Sequence, residues 1–167
     1  MKTWFACAVT FAFSTLSAPM FAEATSETLF KSKNWEVEVV GFDDGSVACL
    51  AEVDATTESF TVWVYADQSA RLQFYSTAWE YGEGDTANLD VRIDKRKSWQ
   101  LTNAELYKNS ILFNLPDSND GVRFLTEVAQ GNRLFLRTED GSPVQDYSLQ
   151  GSRASMDALI VCADAIR

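Results

Sequence analysis

The stretch NWEVEVVGF, Asn34 to Phe42, sets Trp35, Val37 and Val39 on one side of an extended chain and Glu36 and Glu38 on the other. Alternation with a period of two marks a strand with one face buried and one in water. Asp43-Asp44-Gly45 then reads as a turn, and Ser46 to Val53 resumes the pattern with Val47, Cys49, Ala51 and Val53 on a common face. Cys49 is therefore predicted to point inward.

Working outward, the same signature recurs. After polar turn residues at Asp54 to Glu58, Phe60, Val62 and Val64 alternate with Thr61, Trp63 and Tyr65, a run rich in strand formers. A further strand is expected at Arg71 to Ser76. Thr77 to Thr86 carries Gly82 and Gly84 among acidic residues and reads as a loop. Leu89, Val91 and Ile93 alternate within Asn88 to Asp94, Lys95-Arg96-Lys97 turns into a strand near Ser98 to Leu101, and Ile111 to Leu115 is a short buried run ended by Pro116. Val122, Leu125, Val128 and Ala129 fall at helical spacing within Ser118 to Gln130, with Gly131 as the stop. Asn132 to Thr138 and Val144 to Leu149 make a hairpin. Ser152 is placed to cap a last helix whose Met156, Leu159, Ile160 and Ala163 share one stripe with Cys162 at its edge. The sum is a mainly β domain, an antiparallel sandwich or open barrel of about eight or nine strands, with one short internal helix and a closing C-terminal helix.

Lys2 followed by an uncharged run to Ala22, most apolar from Trp4 to Phe13, has the plan of a secretory signal peptide. Cleavage is expected after Ala22 or Ala24; residues 1–22 form the leader and 23–167 the domain. Thr10, Ser14, Thr15, Ser17 and Pro19 dilute the span and argue against an uncleaved anchor. Cleavage removes Cys7 and leaves Cys49 and Cys162, an even pair in an oxidising compartment, where such thiols join. The alternative, two free redox thiols, lacks a C-x-x-C spacing. A periplasmic or secreted location follows, without membrane insertion of the mature chain.

About 145 residues remain, enough for one core, and no Pro/Gly/Ser-rich linker divides them. A net charge of −10 and a pI near 4.4 argue against nucleic acid, which demands a basic face. The chain has no histidine, which closes Ser-His-Asp and Cys-His nucleophile systems and removes the usual ligand of zinc and copper sites. No catalytic residue, metal site or cofactor is assigned. Paired-carboxylate hydrolysis stays formally open, because 24 acidic residues guarantee neighbours.

Three features in this order, WEVEV at Trp35 to Val39, VACLA at Val47 to Ala51 and YSLQGSRASMDALIVC at Tyr147 to Cys162, resemble the invasion-associated locus B type proteins and the alphaproteobacterial periplasmic β-domain proteins that share this ending. The resemblance implies a compact β-sandwich-like domain, a closing helix and the pairing of Cys49 with Cys162. It carries no catalytic residues, and the family name describes a phenotype, so invasion is not inherited from it.

Trp79 and Tyr81, with Glu80 and Glu83 beside them, are the candidate partner-binding group, since aromatic anchors dominate interface energetics. The competing reading folds both rings back over an open end of the sheet. Trp35, Trp63 and Trp99 lie in strands and are read as core or sheet-face residues. Asp43-Asp44-Gly45 and Asp117 to Gly121 have clustered oxygens but not the EF-hand spacing, and are read as turn and cap chemistry. Lys95-Arg96-Lys97 reads as a solvated tip, and Gly151-Ser152 as a plain helix start. The leading expectation is a non-catalytic extracytoplasmic domain that binds a protein or cell-envelope component. A carboxylate-dependent hydrolase or small-ligand carrier, and an acidic inhibitor of a basic enzyme such as a lysozyme, are the alternatives.

Overall fold

The computed structural model describes residues 25–167. The leader, Cys7 and the two cleavage positions lie outside that range. In chain order the strands are β1 (Thr25–Ser32), β2 (Trp35–Gly41), β3 (Val47–Asp54), β4 (Glu58–Tyr65), β5 (Ala70–Ser76), β6 (Tyr81–Ile93), β7 (Trp99–Lys108) and β8 (Ser110–Asn114). Helix α1 (Asn119–Gln130), β9 (Arg133–Thr138), β10 (Pro143–Ser148) and helix α2 (Ser152–Ala165) complete the domain.

All pairings are antiparallel, and the strands form one ten-stranded sheet in the order β1-β2-β3-β4-β5-β8-β7-β6-β9-β10. The sheet curls but its edge strands do not pair. The curl is visible in the core, where Tyr147 of edge strand β10 packs against Phe60 of β4 and Phe74 of β5 at centroid distances of 5.8 and 5.9 Å. The open barrel is thus one sheet folded over a single core, which includes Trp35, Val37, Phe60, Leu72, Phe74, Ile93, Leu134 and Leu136. Each such side chain contributes roughly 1.5 to 3 kcal/mol by leaving water.

The two helices plug this trough. Phe124 and Val128 bury α1, while Met156, Leu159 and Cys162 bury α2. Cys49 on β3 and Cys162 on α2 are disulfide-bonded, with Cα atoms 6.0 Å apart across 113 residues of sequence. Gln68, in the β4–β5 turn, donates through Nε2 to the Ala163 carbonyl at 3.3 Å and accepts from the Arg167 guanidinium at 2.9 Å, which holds the far end of α2.

The structure corrects several expectations. The strand count is ten, because β1 precedes the first strand read from the sequence and pairs with β2 from Thr25↔Gly41 to Ser32↔Trp35. Most of the expected loop at Thr77 to Thr86 belongs to β6, whose first half pairs with β7 through register shifts between Tyr81 and Asp85 and between Ala87 and Leu89. Bulges of this kind absorb extra residues without ending the ladder. Strand β7 accordingly runs on to Lys108, well past Leu101. Ser152 is not the cap of α2. That position is Gly151, at φ +101°, where a Cβ would lie 2.5 Å from the Ser32 carbonyl oxygen. The Ser152 hydroxyl instead donates to the Val128 carbonyl of α1 at 2.8 Å. Arg96 is half-buried and donates to the Glu127 carbonyl at 3.2 Å, so only Lys95 and Lys97 of that turn are exposed.

Candidate functional site

The four residues singled out around Trp79 are separated by the fold. Trp79 and Tyr81 are half-buried, 5.9 Å apart, and pack against the core, as in the reading that folds them back over the sheet. The Asn109 amide donates to the Trp79 carbonyl and fixes that corner. Burial pushes the Tyr81 hydroxyl pKa up. Glu80 and Glu83 remain exposed.

A second aromatic group gathers on the outer face. In β4, Phe60, Val62 and Val64 point inward, so Thr61, Trp63 and Tyr65 point out. In β5, Leu72 and Phe74 point inward, leaving Arg71, Gln73 and Tyr75 outside. Trp63 lies opposite Arg71 on one side and Leu50 on the other, while Tyr75 lies opposite Ser110, which in turn lies opposite Tyr107. Phe42 joins from the β2–β3 turn. The result is a shallow recess of about 380 Å³ walled by Phe42, Trp63, Tyr65, Tyr75 and Tyr107.

These rings take no part in the core, yet they shelter their neighbours. Ala48 and Leu50 of β3 and Thr61 of β4 face outward and are no more than 8% exposed. Trp63 sits 6.4 Å from Phe42 and 6.5 Å from Tyr65, with the Trp63 and Tyr65 planes within 12° of parallel. A polar chain sets the indole: Trp63 Nε1 donates to Gln73 Oε1 at 2.8 Å, and Gln73 Nε2 donates to Ser110 Oγ at 2.9 Å. Arg71 is ion-paired with Glu105, and Lys108 Nζ stands 5.0 Å from the centre of the Tyr107 ring.

Two other surfaces are notable. A groove of about 540 Å³ between the helices is walled by Val122, Leu125, Met156 and Ile160, and Arg153, Asp157, Asp164 and Arg167 also line it. On β6 and β9, the guanidinium carbons of Arg92, Arg133 and Arg137 lie 5.1, 5.9 and 5.2 Å from the Phe135 ring centre. Arg133 and Arg137 are largely answered there by Asp146.

Of the remaining strand tryptophans, Trp35 is core and Trp99 seats α1, meeting Phe124 edge-on and donating from Nε1 to Glu127 at 2.9 Å. The carboxylates with a resolved shift, Glu36, Asp44, Asp67 and Asp140, are all lowered, first by a side-chain hydrogen bond from Thr28, Ser46, Ser69 and Thr138 respectively. Three of these are turn acids held by their own local donors. Asp44 and Ser118 thus serve as turn and cap residues, the latter accepting from the Asp120 N–H at 3.3 Å. Among the described residues no group of three or more acidic or cysteine side chains is placed to hold a metal ion.

The fold has a counterpart among solved structures. The crystal structure of invasion associated protein b from Bartonella henselae matches with a TM-score of 0.56 over 83% of this chain and 99% of that one, at 12% sequence identity. At that identity the likeness is one of fold, and it agrees with the resemblance read at the two ends of the sequence. No protein-family profile and no curated protein matches the chain. Among the described residues no helix is long and apolar enough to cross a membrane, and a disulfide-bonded domain fits an extracytoplasmic location.

Proposed function

We propose that the chain is a non-catalytic extracytoplasmic binding domain that offers the outer aromatic face of β4, β5, β7 and β8 to a protein or cell-envelope component. The observation carrying this reading is that Phe42, Trp63, Tyr65, Tyr75 and Tyr107 form a cluster outside the core, next to strand β3, which the disulfide ties to α2. The five rings are half-buried and cover Ala48, Leu50 and Thr61, and the ring surface they leave open is of the kind that anchors recognition. The Bartonella henselae protein of similar fold is named for an association with invasion. Nothing in this site depends on that role.

The test is capture from an envelope extract on the immobilised, oxidised protein, repeated with Trp63→Ala and with Trp79→Ala. Material held by wild type and lost only with Trp63→Ala supports the outer face. Loss only with Trp79→Ala moves the contact to the Trp79, Tyr81, Glu80 and Glu83 corner and overturns this assignment.

A further inference from the structure

Resting on the binding reading above, we propose that the outer aromatic face is a saccharide platform that takes a polysaccharide chain of neutral or N-acetylated hexoses. A sugar ring presents flat patches of C–H bonds edged by hydroxyls, so its complement is a set of aromatic faces interleaved with hydrogen-bonding groups. Trp63, Tyr65 and Phe42 supply rings at spacings near 6.5 Å, and the Trp63 and Tyr65 planes are nearly parallel. The Gln73 amide, the Arg71 guanidinium and Lys108 lie between or beside the rings.

Three observations select a saccharide over other occupants. The indole N–H of Trp63 is already consumed by Gln73, so the ring has only apolar surface left for a ligand; a proline-rich peptide would also call on such a donor for its carbonyls. The large hydrophobic side chains left exposed on the described chain, Leu29, Phe30, Val122, Ile160 and Val161, all lie elsewhere. An outer face of tyrosines and tryptophan without exposed aliphatic anchors suits a ligand that is half C–H and half hydroxyl better than an apolar protein patch or a lipid tail. Finally, Arg71 is neutralised by Glu105, which leaves Lys108 as the main cation and does not ask for a highly charged polymer. The recess is shallow and open, the form that admits a chain along its length instead of enclosing a small molecule.

Calorimetric titration of the oxidised protein with chitohexaose, cellohexaose and maltohexaose tests this. The expected result is saturable binding of at least one, weakened about tenfold or more by Trp63→Ala and by Tyr65→Ala, a loss of the size that one stacked ring contributes. Binding of chitohexaose would point to N-acetylated wall polymers, and binding of either glucan to a polysaccharide outside the wall. Each variant is first shown to melt cooperatively; Tyr65→Ala keeps the test intact if Trp63→Ala does not fold. Binding that survives both substitutions, or binding of hexaproline in place of all three sugars, would overturn the saccharide assignment. If no sugar binds while extract capture still depends on Trp63, the saccharide class falls and the binding face stands. If capture fails as well, both fall.

Discussion

Cys162 reaches back from α2 to Cys49 in the middle of β3, closing a loop that contains every element from β4 to β10. In the chain-entropy account a loop of this length restricts the unfolded state by about 4 to 5 kcal/mol, a large share of the net stability of a small domain. Cys49→Ser is therefore expected to lower the denaturation midpoint strongly, and wild type under reductant should fall to the level of the variant. Equal midpoints for wild type with and without reductant would refute the structural role of the bond.

Helix α2 is also tied to α1 by one buried hydroxyl. Ser152 is 1% exposed, and its Oγ donates to the Val128 carbonyl. Ser152→Ala removes that bond and leaves the Val128 carbonyl only the Gly131 N–H, at a cost of about 0.5 to 1.5 kcal/mol. If Ser152 were a helix cap, as its sequence position suggests, Gly would replace it at only a few tenths of a kcal/mol. Denaturant titration of Ser152→Ala and Ser152→Gly separates the two roles: a small loss for Gly would favour capping over the bond to α1.

How far the amino-acid sequence reveals this arrangement depends on what each strand's two faces meet. Strands β2 to β5 announce themselves because one face enters the core. Strand β1 does not, since all of it but Ser32 is exposed, so neither face imposes an alternation. The start of β6 hides for a different reason: Gly82, Glu83 and Gly84 have turn chemistry and bulge out between the pairs Tyr81↔Lys108 and Asp85↔Leu106, with Gly84 at φ +84°. Gly131 is the stop of α1 that its position suggests, but at φ −84° it does not use the left-handed conformation. It is glycine for room, because a Cβ there would come within 2.5 Å of Ile93 and 2.9 Å of Leu149.

The candidate site is the least readable part. Alternation places Trp63 and Tyr65 opposite Phe60 and Val62, and β4 carries aromatic residues on both faces where a half-solvated strand would have polar ones outside. That excess is the one local signal of the site. Gathering Tyr107 requires knowing that β8 and β7, and not β6, follow β5 in the sheet. Order of strands is a property of long-range pairing, which local pattern does not encode.

Acid should weaken the fold through its turns. Asp44, Asp67 and Asp140 accept hydrogen bonds from serine and threonine donors that hold their pKa values below the ordinary 3.8. A carboxylate with a depressed folded pKa stabilises above its unfolded pKa, and that help is lost as pH falls through the folded value. The combined Asp44→Asn, Asp67→Asn and Asp140→Asn variant should show a shallower loss of denaturation midpoint between about pH 5 and pH 2 than wild type. An unchanged slope would mean these turns contribute nothing to acid sensitivity.

Alkali acts on the opposite side of the molecule's pH range, through Tyr147. Its ring packs on Phe60 and Phe74 and is 4% exposed, while its hydroxyl has no hydrogen-bond partner among the described residues. Burial, then the charges of Glu58 and Tyr81, pushes its pKa far above the usual value of 10.0. The folded state therefore keeps the proton that the unfolded chain releases near pH 10. Stability from this source is complete below pH 10 and declines as pH rises beyond it. Removing an unpaired buried hydroxyl while keeping the ring relieves a desolvation cost of about 1 to 3 kcal/mol. Tyr147→Phe should thus be at least as stable as wild type at pH 7 and should lose less stability between pH 9 and pH 11. A variant clearly less stable at pH 7 would mean that the hydroxyl is satisfied in solution, and an identical alkaline slope would mean that another group governs that limb.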